Sequence, residues 1–214
     1  MSGFRAWLAA LHAGIRWSLL AVACVLLLTL VLGAVWSWLG HREEAAQRAL
    51  GPVLVTAQRA VGSGQPADLG AAATALRQFL TSHSSTKAGH QAGYVLGEVE
   101  FRRSQWEAAA AAFAEVARRD RGNIGALSRL GQGYAYEAKG DAARALEVYQ
   151  RALSGLGPTD FLYGDFLLAK ARAQELAKDS TGAIATYKQY LKDLPTADRV
   201  QDVRIRLALL GSTG

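Results

Sequence analysis

Hydrophobic and polar positions follow two regimes along the chain. From Trp17 to Gly40, WSLLAVACVLLLTLVLGAVWSWLG, there is no charged residue. At about 1.5 Å per residue a helix of this stretch reaches roughly 36 Å, enough to cross the hydrocarbon core of a bilayer. Trp17 stands at one end and Trp36 and Trp38 at the other, where indole favours the headgroup boundary. A cleaved signal peptide has a shorter apolar region, followed by a small-x-small site. Tryptophans occupy that place here, so a retained transmembrane helix is expected over 17–40. Beyond it the apolar residues recur every three or four positions. Ala46, Ala49, Leu50, Val53, Ala57 and Ala60 make one stripe of a helix over 42–61. Gly51-Pro52 should kink or break that helix. GSGQP, residues 62–66, separates it from a second helix over about 67–80, and TSHSSTKAG reads as a polar loop.

From residue 87 the pattern repeats itself. Three segments align, beginning at Ser104, Gly140 and Lys178. In each a small residue precedes an aromatic by four: Ala109 and Phe113, Ala145 and Tyr149, Ala183 and Tyr187. One turn apart, the two share a helix face. Each segment follows another helix with a small residue seven positions before the corner: Gly97, Gly133 and Ala171. In GQGYAYEAKG, residues 131–140, the glycines lie within a helix, where each costs about 1 kcal/mol relative to alanine. Close packing explains that cost, with Gly133 expected to receive Tyr136. Ser104-Gln105-Trp106-Glu107 fits a capping box, and Asn123 and Asp160 are suited to N-caps. Thr196 can cap a closing helix with Val200, Val203, Leu207 and Leu210 on one stripe and Gly211 at its end.

This organisation resembles the tetratricopeptide repeat, a helix-turn-helix unit, over about 87–195. Gly93 stands where that family often has Trp, and Gln174 where it often has Tyr. The expected fold is all-α: an N-terminal transmembrane helix followed by an α-α superhelix of hairpins. Its parts are a tail (1–16), the span (17–40), juxtamembrane helices forming a degenerate first hairpin (41–86), the repeats (87–195) and a capping helix (196–214). Stacked hairpins line a concave face with their first helices. The positions projecting there are Tyr94, Glu98, Phe101 and Arg102, then Leu130, Tyr134 and Glu137, then Leu168, Arg172 and Glu175. Aromatic, aliphatic and charged groups in this mixture suit a peptide or a partner helix.

Charge and chemistry narrow the function. The formal net charge is +6, and Arg5 and Arg16 are the charged residues of the first forty. The rest mixes both signs without the one-sided basic stripe a nucleic-acid reader needs. The tail is basic, while His41-Arg42-Glu43-Glu44 on the far flank is mixed. The positive-inside rule then puts the N-terminus in the cytoplasm and the large domain outside it. Cys24 is the one cysteine, so no intrachain disulfide is expected. His12, His41, His83 and His90 have no metal-binding spacing, and His83 and His90 are expected to be solvated. Glu98 and Glu100 read as ordinary helix faces. Neither a phosphate loop nor a nucleophile elbow is present. No catalytic residue, cofactor, metal or small-molecule substrate is expected, and the partners are expected to be proteins.

One span, a basic tail and a short repeat array, with YVLGEVEFRRSQWEAAAAAF and the closing DVRIRLALLG, resemble the YfgM family of Gram-negative inner-membrane proteins. That resemblance implies a periplasmic repeat domain and a non-enzymatic adaptor ancillary to the Sec translocon. Its implied partners are translocon subunits, a periplasmic chaperone or exported chains. An envelope-assembly scaffold is the alternative.

Overall fold

The computed structural model describes residues 2–211, with side chains for 17, 18 and 21–211. The side chains of Arg5, His12 and Arg16 therefore lie outside the described residues. Among the described residues the chain is helical without strands: α1 (Ser2–Ser63), α2 (Pro66–His83), α3 (Lys87–Arg102), α4 (Trp106–Arg119), α5 (Asn123–Lys139), α6 (Ala142–Leu153), α7 (Tyr163–Leu176), α8 (Ser180–Asp193) and α9 (Val200–Leu209). It divides into two compact units, Met1–Ala45 and Ala46–Gly214.

In the first unit the apolar stretch of α1 touches little protein. Leu30 is 72% exposed and Trp36 83%. The segment Ala21–Ser63 contains a window of mean hydropathy 2.3 with none of it buried. A helix apolar on every side and unburied is compatible with membrane anchoring, and a signal sequence shares that character. Arg42 lies over the Trp38 ring, 5.5 Å from its centroid.

In the second unit each helix from α2 to α9 packs on the next. Helix α5 also touches α3 and α7, whereas α4 and α6 do not touch each other. The first helices of successive hairpins therefore converge on the inner face. A core of Ala46, Leu50, Ala57 and Ala60 from α1 closes against Leu69, Leu76 and, from α3, Ala92 and Val99. Ala49 is exposed, so the apolar stripe of α1 is narrower than the spacing predicts.

Pro52 does not end α1, which runs on to Ser63. Pro52 is exposed, and packing on either side of it, at Leu50 and Ala57, offsets the hydrogen bond its ring removes. The loop predicted over 81–89 is shorter, because α2 extends to His83 and α3 starts at Lys87, where Thr86 accepts a hydrogen bond from the Gly89 amide.

The predicted caps are replaced by others. Ser104 is not an N-cap: its φ is 58°, and Gln105 precedes α4 without a side-chain cap. Gly122, Leu162 and Arg199 occupy the places predicted for Asn123, Asp160 and Thr196. Asp160 instead accepts from the Gly157 amide, and Asp120 from the amides of Gly122 and Gly125. Asp120 also meets His90 Nδ1 at 3.0 Å, so His90 is paired rather than solvated. The His83 ring lies 4.7 Å from that of Phe79. Glu100 is no surface carboxylate: it is 1% exposed and bonded to Arg77 and Arg103. The closing helix α9 does bury Val200, Val203 and Leu207 as its spacing predicts, and Gly211 follows it at φ 78°.

Candidate groove on the inner face

The groove is built from the hairpin corners. Ser104, Gly140 and Lys178 all adopt left-handed backbone, with φ of 58°, 84° and 61°. The residue after each closes the corner. Gln105 donates its amide to the Glu100 carbonyl, Asp141 to Tyr136 and Asp179 to Gln174, at 2.8–2.9 Å. These bonds satisfy carbonyls that a helix end leaves free. The Asp141 and Asp179 side chains then accept from the amides of Arg144 and Gly182, starting α6 and α8. One corner geometry in three hairpins fixes one register: three residues before it on the first helix, nine after it on the second.

In the second hairpin those positions hold Glu137 and Tyr149. The Tyr149 hydroxyl donates to Glu137 Oε1 at 2.6 Å, and Arg172 of the next hairpin donates from Nε to Oε2 at 2.6 Å. The Arg172 guanidinium also covers the Tyr134 ring, 4.9 Å from its centroid. The third hairpin repeats the set. The Tyr187 hydroxyl donates to Glu175 at 2.7 Å, and Arg206 of α9 donates at 2.9 Å. Burial pushes both tyrosine hydroxyls up from their ordinary value, and the adjoining carboxylates push further. Burial also raises the Glu175 carboxyl, but hydrogen bonds from Arg206 and Tyr187 outweigh it and hold the group below its usual range.

The first hairpin differs. Its equivalent positions are Phe101 and Phe113, which offer neither acceptor nor hydroxyl. The Phe101 ring meets Trp106 edge-on at 4.9 Å, and Tyr94 tilts against Phe113 at 5.6 Å. Together with Glu98, Arg102, Gly131 and Tyr134 they line a cleft of about 590 Å³. Burial, then the neighbouring Glu98 carboxylate, pushes the Tyr94 hydroxyl up to about 12.

The structure thus brings Tyr94, Glu98, Phe101, Arg102 and Tyr134 to one cleft. Leu168, Arg172 and Glu175 line a second, about 260 Å³, with Tyr187 and Arg206. Leu130 is not on the surface: it is 8% exposed and packs with Tyr149 and Phe166. Glu137 lines neither cleft, and its side chain is 9% exposed within the Tyr149–Arg172 set. Trp106, Phe113, Gly131 and Arg206 belong to the groove without having been expected there. Phe113 could have been found, because the aligned repeats already place it in register with Tyr149 and Tyr187.

Small residues let these rings approach. A Cβ on Gly97 would stand 2.6 Å from the Phe113 ring, and one on Gly133 2.1 Å from Tyr149. Tyr136 is therefore not the partner of Gly133; it carries the Arg144 guanidinium at 4.4 Å instead. Gln174, where the repeat pattern often has Tyr, accepts from the Thr186 hydroxyl at 2.7 Å inside the hairpin.

Comparison with known proteins agrees with this architecture. No curated protein matches the chain in sequence. A family model described as tetratricopeptide repeat matches residues 54–124 and 94–161, and a second of the same description matches 165–197. The first match begins inside α1, ahead of the residue-87 start read from the repeats. Modules of this kind hold protein partners. The chain belongs to the tetratricopeptide-repeat family.

Proposed function

We propose that the chain is a membrane-anchored, non-enzymatic adaptor that holds protein partners in the groove of α3, α5 and α7. The observation that carries this reading is the aromatic cleft, where half-buried Tyr94, Phe101 and Trp106 stand over the buried Phe113 beside the charged Glu98 and Arg102. Accessible aromatic rings with a charged rim are the composition of interaction hot spots. The retained-anchor reading is supported by the unburied apolar stretch of α1 with tryptophans at its two ends. The basic tail supports a cytoplasmic N-terminus, with the repeats outside the cytoplasm, in the periplasm of a bacterium. The resemblance to the YfgM family supports a place beside the Sec translocon and periplasmic chaperones.

Photo-crosslinkers at Tyr94, Phe101 and Tyr134 in intact cells should trap discrete protein partners, and native co-purification should recover translocon subunits. Crosslinks to an envelope-assembly machine, without the translocon, would replace the translocon assignment. A reporter fused after Gly214 should be active outside the cytoplasm, and activity only in the cytoplasm refutes the topology.

A further inference from the structure

The three hairpins share a register, yet one is left open. In the second and third the inner face is closed from within by a Glu–Tyr–Arg set: Glu137, Tyr149 and Arg172, then Glu175, Tyr187 and Arg206. In the first, the glutamate and tyrosine positions are Phe101 and Phe113. The residue six before the next corner, which is Arg172 in α7, is Tyr134 in α5. No polar set can form there, and the cleft of about 590 Å³ takes its place.

We infer that this cleft receives one bulky apolar side chain of a protein partner, on a segment carrying an acidic residue beside it. The inference rests on the adaptor reading and deepens it. The walls specify the apolar group, since a ring or leucine seated against Tyr94, Phe101 and Trp106, over the buried Phe113, leaves water for aromatic contact. The rim specifies the charge. The other arginines lining the groove are already paired: Arg172 with Glu137, Arg206 with Glu175 and Arg199 with Asp165. Arg102 is exposed, and among the described residues no hydrogen bond or ion pair engages it. Glu98, the other rim charge, stands beside the Tyr94 hydroxyl. A partner carboxylate therefore meets Arg102, and a partner lysine there is repelled.

The test uses the full chain in lipid nanodiscs and fluorescence anisotropy. The probe is a fluorescein-labelled glycine-serine peptide with one central phenylalanine followed by two aspartates. It should bind with Kd of about 1 mM or tighter. Replacing its phenylalanine by glycine, or its aspartates by lysines, should weaken binding roughly tenfold. Arg102→Glu should reverse the preference toward the lysine peptide, and Phe101→Ala should abolish discrimination by the phenylalanine, with circular dichroism unchanged for both. Equal binding of the three peptides, indifference to Arg102→Glu, or no detectable binding at about 1 mM overturns the inference. Cellular crosslinks from Leu168 or Arg199 but none from Phe101 also overturn it while leaving the adaptor reading standing. Crosslinks from no groove position sink the adaptor reading itself.

Discussion

At the scale of single residues, the decisive contacts are glycine against aromatic ring. A Cβ at Gly133 would meet the fully buried Tyr149 at 2.1 Å. Gly133→Ala should therefore destabilise the fold by about 1–3 kcal/mol through overpacking, measured by urea unfolding. Gly70→Ala is the matched opposite. A Cβ at Gly70, inside α2, meets nothing within 4 Å, so the substitution should add roughly 0.5–1 kcal/mol through helix propensity alone. Glu137 tests the polar set. Removing its carboxylate leaves the Tyr149 hydroxyl buried without its acceptor, so Glu137→Ala should cost about 1–3 kcal/mol. Glu137→Gln keeps an acceptor and should cost less in the same measurement.

At the scale of elements, the corners set where each helix starts and which side chains meet. Left-handed backbone costs a residue with a side chain about 1–2 kcal/mol relative to glycine. Ser104→Gly and Lys178→Gly should each raise the unfolding midpoint, whereas Gly140→Ala should lower it. Equal midpoints for all three variants would remove the corners as a source of strain. The α7–α8–α9 set also makes stability depend on pH. Glu175 titrates below its ordinary range in the folded chain. A carboxyl lowered by folding stabilises the fold fully above its unfolded value and stops doing so as pH falls through its folded one. The thermal midpoint should therefore drop below about pH 4.5, and Glu175→Gln should flatten that acid limb. An identical acid limb in wild type and variant would show that other carboxylates set it.

At the scale of the whole molecule, the issue is whether α1 remains part of the mature protein. Among the described residues none of its most apolar window is buried, so a bilayer is the solvent that would cover it. The full-length protein should stay in the membrane pellet after alkaline extraction, with its N-terminal 16 residues intact by mass spectrometry. A soluble product shortened past Trp36 would identify a cleaved signal instead. Leu28→Arg, near the middle of the stretch, should weaken insertion by about 2.5–3.5 kcal/mol and raise the extractable fraction.

Periodicity along the chain sufficed for the helical class, the apolar segment and the repeat. Spacing of apolar and small residues is a local property, and the hairpin corners recur at the same register in sequence and in space. Tyr94, Phe101 and Tyr134 were legible as groove residues for that reason. Local signals failed where a third helix intervenes. Leu130 has the pattern of an inner-face residue, yet it is covered by Tyr149 and Phe166. Glu100 looks like a helix-surface carboxylate, yet Arg77 reaches it from α2. Pro52 reads as a break, yet α1 continues because the residues around it are packed. Each depends on which helix lies opposite, a matter of tertiary packing that one helix's sequence does not contain. The contrast between an open first hairpin and two closed ones was written in the aligned residues. Only the folded chain shows that Glu137 and Glu175 reach across to Tyr149, Tyr187 and the next arginine, and that Phe101 leaves a cleft in their place.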